Sequence, residues 1–371
     1  MNIALDATYS LDRSPTGVGV YSRRMLFGLA ESHPEAKFVF CYRSHRLLQS
    51  FKDKLPRNAS RAWLRSDGIW PRKAQLFHSL NQRVEFVRAK YVVSTFHDLF
   101  ALTGDYSTQE FRVRFAGQAR KAAERSDLLI AVSQFTADQL VNVLSVERSR
   151  IRVVRHGVTL PAETPPADEA RENIIFHVGA IQHRKNLMRL VEAFEWMPED
   201  WRLVLAGSDG YGAAEIRDRI RRSSRADQIE IKGYVSAAAL EELYSKARVF
   251  AFPSLDEGFG MPVLDAMARG VPVLTSNRSA TQEVAGAAAL LIDPTDVDSL
   301  ASGLRRVVSN AALRNQLRIA GLARAAEFSW ESAVAQTWRV YQELLGRRVS
   351  AAPRRLQSLG LSGTSDPESS T

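Results

Sequence analysis

The sequence has little of what stabilises secreted, zinc-binding or membrane-spanning proteins. Its 371 residues include one cysteine, Cys41, so no disulfide can form within the chain. Cys and His do not recur at the spacing of metal ligands. No run of about 18 apolar residues occurs, which argues against a membrane-spanning helix. The residues after Met1 lack the features of a signal peptide, and together these absences predict a cytoplasmic protein.

What the sequence does contain is a globular composition with an uneven charge. Hydrophobic residues make up 45% and charged residues 25%, as in soluble domains. The net charge is +9, and residues 42–90 alone hold 12 Lys/Arg against 3 Asp/Glu. Such a local excess predicts an anionic partner: phosphate, a lipid headgroup or nucleic acid. A solvated basic face explains it equally well.

Short apolar segments alternate with amphipathic helical patterns, which predicts parallel sheets with helices on both faces. The predicted strands of the first half are residues 3–7, 38–42, 91–95 and 128–132, with helices at 20–31 and 134–144. Those of the second half are residues 174–178, 201–206, 229–231, 249–252 and 271–275.

A proline-rich polar segment, residues 161–172, predicts a linker between two domains at 1–160 and 173–327. Residues 330–346 continue as a last helix, and residues 347–371 have the composition of a disordered tail. Parallel sheets bind ligands beyond the carboxyl ends of their strands, so the cleft between the domains is where a site is expected.

Residues 252–270 are the most informative segment. A predicted strand leads into a loop with Glu257, Gly258 and Gly260, and Pro262 suits the first turn of a helix. Glycines let backbone N–H groups approach a ligand, and a helix N-terminus favours negative charge. A ligand with both hydroxyls and phosphate fits this loop, although a solvated Glu and a helix-stabilising Asp265 would give the same pattern.

This segment resembles the signature of the family-4 retaining glycosyltransferases, which have the GT-B fold. In that signature two Glu residues are separated by seven residues; here Glu257 takes the first position and Asp265 departs from the second. Residues 178–186, 96–99, 131–136, 152–158 and 328–331 resemble further motifs, so the likeness extends from about residue 1 to 345. It implies two Rossmann-like domains, with the last helix crossing back onto the first.

The resemblance implies how a sugar nucleotide is held. Glu257 would bind donor-sugar hydroxyls and Asp265 the ribose diol. Arg184 and Lys185 would stabilise the diphosphate, as cations beside a helix N-terminus suit that role. A solvated basic helix start remains the alternative for these two residues.

Other positions follow from the same likeness. The loop with Gly17 and Gly19 would face donor and acceptor, and His97 would lie beside the donor sugar. Asp98 would shape the loop or contact the acceptor. Gly258, Phe259 and Gly260 would form the donor loop. Glu283 would lie near the nucleotide, although a charge at a helix start explains it equally well.

The implied reaction is retaining transfer of a hexose, with mannose as the leading expectation, to a glycan or lipid-linked acceptor in surface-polysaccharide synthesis. The donor would be GDP-mannose or a UDP-sugar, with no cofactor and no metal. The Asp296-Val-Asp298 sequence begins a predicted helix instead of a metal-binding loop. A GT-B nucleotide-sugar epimerase and a non-catalytic glycan- or nucleotide-binding protein remain alternatives, the latter because of Asp265.

The basic stretch 42–90 leads to one more prediction. It includes or adjoins the aromatic residues Phe51, Trp63, Trp70, Phe77, Phe86 and Tyr91. Basic residues are attracted to anionic lipid, and Trp and Tyr favour the membrane interface. We therefore expect peripheral binding to the inner face of the cell membrane through the first domain. Nucleic acid is not expected, because no recognised binding motif accompanies the charge.

Overall fold

Two open sheets organise the chain. The computed structural model describes residues 1–11, 16–65, 68–70, 74–84 and 88–346, with backbone alone for 68–70. The strands of the first sheet are β1 Asn2–Asp6, β2 Lys37–Tyr42, β3 Ala59–Arg65, β4 Gly68–Trp70, β5 Leu76–Ser79, β6 Tyr91–Phe96, β7 Leu128–Ala131 and β8 Ile151–Val153. The strands of the second are β9 Glu172–Val178, β10 Arg202–Ala206, β11 Ile229–Gly233, β12 Ala247–Phe252, β13 Val273–Ser276 and β14 Leu290–Ile292.

The strand orders are those of doubly wound domains. The first sheet runs β4-β3-β2-β1-β5-β6-β7-β8 and the second β11-β10-β9-β12-β13-β14. Every described pair is parallel except β3 with β4. In both sheets the order reverses beside the strand that opens the domain, β1 or β9, where a doubly wound sheet leaves a crevice at its carboxyl edge. The predicted fold class, two Rossmann-like domains, is confirmed.

Helices cover both faces of each sheet. Those of the first half are α1 Gly17–Ser32, α2 Ser44–Ser50, α3 Phe100–Thr103, α4 Gln109–Arg125 and α5 Gln134–Leu144. Those of the second half are α6 Leu187–Phe194, α7 Ala213–Arg221, α8 Ala237–Lys246, α9 Met261–Ala268, α10 Ser279–Ala285, α11 Val297–Ser309, α12 Ala311–Ala326 and α13 Trp330–Gly346. Side-chain caps fix several helix starts; the Ser133 hydroxyl, for example, accepts the Thr136 N–H at 2.9 Å where α5 begins.

The last helix, α13, packs on the first domain. Trp338 and Tyr341 lie in the same buried cluster as Leu5 and Phe38 of the first sheet. Tyr341 also hydrogen-bonds His78 Nδ1 at 2.5 Å, and both side chains are fully buried. The chain therefore crosses back to the first domain in its last described helix.

The proline-rich segment before β9 is tied down at its end. Arg171, 3% exposed, donates to the carbonyls of Tyr244 and Ala247 at 2.8 Å each. Asp168 pairs with Arg314 at 2.8 Å. These contacts attach the end of the segment to the second domain.

Candidate active site

The loop between β12 and α9 is shaped by two glycines. Gly260 has a φ of 104°, a left-handed conformation in which a side chain is strained. Gly258 lies so close to the first domain that a Cβ would come within 1.7 Å of the His97 carbonyl oxygen. The Gly258 carbonyl accepts hydrogen bonds from the hydroxyls of Ser133 (2.7 Å) and Thr136 (2.9 Å). The loop therefore seats the second domain against the first.

Glu257 lies in this loop and forms a buried ion-pair group with Arg184 and Lys185. Its Oε2 is 2.9 Å from an Arg184 terminal nitrogen, and its Oε1 pairs with Lys185 Nζ. The three side chains are only 8–11% exposed. They meet because β9 and β12 are neighbours, so the loops that follow both strands share one edge of the sheet.

The charges within this ion-pair group determine the protonation states of its three side chains. Burial acts to raise the pKa of Glu257, but the positive charges of Arg184 and Lys185 outweigh it and lower that pKa to about 2. A hydrogen bond from the Ser254 hydroxyl, 2.6 Å long, adds to the lowering. Burial lowers the pKa of Lys185 to about 8, although the Glu257 charge opposes this shift. At neutral pH the group holds two cations and one carboxylate.

The backbone also positions the two cations. His183–Lys185 form a short 3-10 turn, and Asn186 follows in a left-handed conformation (φ 59°) before α6 begins. The Asn186 amide donates to the carbonyls of Pro253 (3.1 Å) and Pro294 (2.6 Å), which fixes this turn to the Glu257 loop. Arg184 lies over the Phe100 ring at 4.6 Å and Lys185 over Phe252 at 4.6 Å.

Two further carboxyl groups lie beside this ion-pair group. Burial and the charges of Glu257 and Asp256 raise the pKa of Asp98 to about 6, against the opposing effect of Arg184. Asp256 accepts a 2.6 Å hydrogen bond from Thr103 of the first domain. Its other oxygen is buried without a hydrogen-bond partner among the described residues, as is Arg184 Nε. The site thus contains polar atoms that a ligand can engage.

His97 lies at the same edge but is engaged by the protein. Its Nε2 donates to the Leu80 carbonyl at 2.9 Å, and Nδ1 is 3.4 Å from His156 Nε2. Burial lowers the pKa of His97 to about 4, so the ring is neutral at pH 7. Because Leu80 can only accept, Nδ1 of His97 carries the lone pair and His156 must donate to it.

Gly17 and Gly19, placed by the sequence between a strand and a helix, lie in the first turn of α1. A Cβ on Gly17 would be 3.3 Å from Met261 Sδ, so the start of α1 faces the start of α9 across the domain boundary. The amide of Gly19 is capped by the Thr16 hydroxyl at 3.4 Å. Two helix N-termini therefore converge beside the Glu257 loop, where they favour an anion.

Three predicted donor residues contact other partners. Asp265 is 3.4 Å from Arg269, and burial raises its pKa. The Phe259 ring packs edge-on against His156 at 4.8 Å. Glu283 pairs with Arg155 at 2.8 Å and accepts the Gln134 N–H at 2.8 Å, so it caps α5 and links the two domains.

Sequence reasoning missed the residues that support the ion-pair group. The Ser254 hydroxyl donates to Glu257, the Asp256 carbonyl accepts from Arg184, and the Asn186 amide donates to the Pro253 carbonyl of the same loop. All three belong to segments that the motifs singled out, but their polarity alone does not distinguish them from loop residues. Thr103 comes from another domain, and nothing in the sequence relates it to Asp256.

The basic stretch 42–90 is only partly a free surface. Arg61 donates to the carbonyls of Ser50 and Asp53, and Phe77 is buried in the core. Phe51 is 66% exposed. Arg72, Phe86 and the Trp70 side chain lie outside the described residues, as does the predicted disordered tail.

Two features are absent from the part of the chain that the structure describes. No helix there is both long enough and apolar enough to cross a bilayer. No group of three or more His, Cys, Asp or Glu side chains in that part of the chain is arranged to hold a metal ion.

Comparison with known proteins gives matches over most of the chain. The sequence profile described as "Glycosyltransferase Family 4" matches residues 30–160, and that described as "Glycosyl transferases group 1" matches residues 164–324. The O-antigen chain mannosyltransferase B of Escherichia coli is 30% identical over 321 residues, which cover 82% of each chain.

Solved structures agree on the fold. Sucrose-phosphate synthase from Thermosynechococcus elongatus superposes with a TM-score of 0.74 and 22% identity, covering 93% of this chain and 99% of the other. The Anabaena protein HepE in complex with UDP-glucose gives a TM-score of 0.70 at 15% identity, covering 92% of this chain and 100% of the other. At these identities the likeness concerns the fold alone.

Proposed function

The chain belongs to the family 4 glycosyltransferases, and from that premise we propose that it transfers a hexose from a nucleotide sugar to a glycan or lipid-linked acceptor in surface-polysaccharide synthesis. The observation that carries the proposal is the buried group of Glu257, Arg184 and Lys185 at the carboxyl edge of the second sheet. Arg184 and Lys185 are the two cations of this group that an anionic ligand would engage.

In this proposal the donor diphosphate takes over the cations from Glu257. Arg184 keeps a buried Nε–H without a hydrogen-bond partner among the described residues, and this group is available to a phosphate oxygen. Guanidinium and ammonium groups bind phosphate through charge-assisted hydrogen bonds. Glu257, released from Lys185, then accepts hydrogen bonds from the hydroxyls of the donor sugar. The N-terminus of α1, with Gly17 and Gly19, adds N–H groups on the phosphate side.

In this proposal the same contacts also stabilise the transition state of the transfer. Negative charge develops on the nucleoside diphosphate as the glycosidic bond breaks, and Arg184 and Lys185 stabilise it without reorganisation. No metal ion is needed for that step in the proposal. Transfer proceeds with retention of the anomeric configuration, and Asp265 on α9 holds the ribose diol.

The remaining donor-site assignments are part of the same proposal. His97 presents its neutral ring beside the sugar, with Gly258, Phe259 and Gly260 forming the wall of the donor loop. Glu283 acts indirectly in this scheme, because its contacts with Arg155 and Gln134 hold the two domains together beside the nucleotide.

Mannose is the proposed sugar, with GDP-mannose as the donor to test first. The support is the E. coli relative named as an O-antigen chain mannosyltransferase, whose match extends over both domains. For a lipid-linked acceptor, the proposal includes peripheral association with the inner face of the cell membrane through the basic first domain.

The test is a thermal-shift screen against UDP, GDP, ADP and their sugars, followed by transfer to an oligomannoside. A ligand that binds only the folded protein raises its melting temperature by mass action. We expect GDP and GDP-mannose to give the largest shifts and GDP-mannose to support transfer. A shift with UDP-glucose alone would keep the glycosyltransferase and change the donor; no shift with any nucleotide would overturn the proposed function.

A further inference from the structure

His156 is a buried histidine that the proposed donor site does not use. It follows β8 near the end of the first domain and is only 3% exposed. Burial lowers its pKa well below the ordinary value of a histidine, so its ring is neutral at pH 7. A neutral imidazole has one N–H and one lone pair, and the hydrogen bonds around the ring decide which nitrogen carries which.

The surroundings of His156 place its proton on Nε2. This nitrogen lies 3.4 Å from His97 Nδ1, which carries a lone pair because His97 Nε2 donates to the Leu80 carbonyl. Nδ1 of His156 is buried without a hydrogen-bond partner among the described residues. A proton on Nδ1 would leave a buried N–H unpaired and set two lone pairs against each other, so the Nε2–H tautomer is favoured.

The ring of His156 is held by residues from both domains. Phe259 of the donor loop packs edge-on against it at 4.8 Å, and Tyr21 of α1 lies tilted against it at the same centroid distance. Trp330, the first residue of α13, lies 6.1 Å away. These contacts fix the ring of His156 beside His97 while the donor loop is in contact with the first domain.

We propose that His156 is a positioning residue for transfer, which orients the His97 ring beside the donor sugar through its Nε2–H. The inference rests on the proposed function, because it takes His97 as part of the donor site. Leu80 holds one nitrogen of the His97 ring and His156 the other, so the two hydrogen bonds together fix the ring. Without His156, the buried Nδ1 of His97 would lose its hydrogen-bond donor, and the ring would turn to regain one.

The test compares two variants of nearly the same shape. His156→Gln places an amide N–H where Nε2–H lies, whereas His156→Met has the same length and no donor. Both lose the imidazole, so the loss of packing against Phe259 and Tyr21 is common to them. For transfer from GDP-mannose to the oligomannoside, kcat should be at least about tenfold lower in the Met variant than in the Gln variant, the scale of one buried hydrogen bond.

The difference should fall on kcat, because Arg184 and Lys185 hold the diphosphate in both variants. The KM for GDP-mannose and the affinity for GDP should therefore agree between them. His33→Met is the matched control, since His33 also packs on an aromatic ring, that of Trp338 at 3.7 Å, but at the far end of α1. It should keep the wild-type kcat. Equal kcat values of the Gln and Met variants would overturn the proposal, as would a loss in His156→Met that GDP affinity follows.

A double-mutant cycle tests whether His156 acts through His97. His97→Gln keeps a donor for the Leu80 carbonyl and lacks the acceptor that His156 contacts. In this background His156→Met should lower kcat little further than His156→Gln does. If His156→Met lowers kcat by the same factor with and without His97, His156 acts independently and the proposal fails.

One signal that does not depend on transfer separates this proposal from the proposed function. In protein labelled with 15N-histidine, the resonance of His97 Nδ1 is assigned with His97→Gln. It should be that of an unprotonated nitrogen and should move to higher frequency in His156→Met, because the hydrogen bond to its lone pair is lost. An unchanged resonance in His156→Met would overturn the hydrogen bond. Absence of transfer by wild type, with this shift present, would overturn the proposed function and the role in transfer while leaving the hydrogen bond in place.

Discussion

Replacing Glu257 with Gln should destabilise the unliganded protein and abolish most transfer. The pKa of this carboxyl falls from 4.5 to about 2 on folding, because Arg184 and Lys185 outweigh the effect of burial. Each pKa unit corresponds to about 1.4 kcal/mol, so ionised Glu257 contributes roughly 3 kcal/mol at pH 7. Breaking a buried ion pair by removing one partner typically costs about 3–5 kcal/mol, which agrees.

The sign of the pH dependence follows from the lowered pKa. The stabilisation is complete above about pH 4.5 and declines as the pH falls toward 2, where the folded-state carboxyl becomes protonated. Wild type and Glu257→Gln should therefore differ most near neutral pH and converge under acid conditions. Urea unfolding at pH 7 and at pH 3.5 measures both differences.

Ligand binding gives the sharper part of this test. In Glu257→Gln the diphosphate no longer competes with a carboxylate for Lys185. Nucleoside diphosphate should therefore bind the variant at least as tightly as wild type, and stabilise it by a larger increment in the unfolding experiment. Ser276→Ala is a control that removes a buried hydroxyl donating to the Ser254 carbonyl without touching the charges. Unchanged stability at pH 7, or weaker diphosphate binding by Glu257→Gln, would refute the reasoning.

Four other perturbations test separate parts of the site. Burial lowers the pKa of Lys185 to about 8, so its charge, and with it the affinity for nucleoside diphosphate, should decline as the pH rises through 8. Lys185→Arg should remove that decline in calorimetry, and a wild-type affinity constant from pH 7 to 9.5 would contradict the role. Asp265→Glu restores the residue common in the family and should retain donor binding; complete loss in a thermal-shift assay would show a pocket that requires Asp. Gly258→Ala places a Cβ within 1.7 Å of the His97 carbonyl oxygen, so transfer should fall and the radius of gyration from small-angle scattering should rise. If neither transfer nor the radius of gyration changed, the loop would have moved without separating the domains. EDTA should leave transfer intact, whereas a loss that Mg²⁺ or Mn²⁺ restores would contradict the metal-free proposal.

Most of the second sheet was predictable because its central strands are buried on both faces, whereas its edge strand β14, Leu290–Ile292, was not among the predicted strands. Residues 249–252 and 174–178 form uninterrupted apolar runs or nearly so, which is the pattern of a covered parallel strand. β12 and β9 contain these runs and extend them by two residues at the start. Such boundaries depend on hydrogen bonds to neighbouring strands, which the sequence does not display.

The first sheet was harder to predict because some buried positions are polar. β5 includes His78 and Ser79, which interrupt its apolar pattern although both are fully buried. His78 is satisfied by Tyr341, a residue 263 positions away in α13. A buried polar residue is acceptable only with such a partner, and no local pattern indicates where the partner lies.

The candidate site, too, could be predicted from the sequence only in part. The motifs singled out Glu257, Arg184 and Lys185 separately, since each follows a predicted strand. That the three form one ion-pair group depends on β9 and β12 being neighbours, which is a property of the sheet order. The contact of Glu283 with the start of α5 depends on how the two domains meet, and the sequence alone does not indicate it.

The measurement that bears most directly on the central claim is a time course of transfer from GDP-mannose to an oligomannoside, followed by proton NMR of the anomeric signals. The account predicts a new mannosidic bond with the anomeric configuration of the donor, formed by wild type and by Arg57→Gln, a control at an exposed residue of the first domain, and strongly reduced in Glu257→Gln. An inverted product, or undiminished transfer by Glu257→Gln, would contradict it.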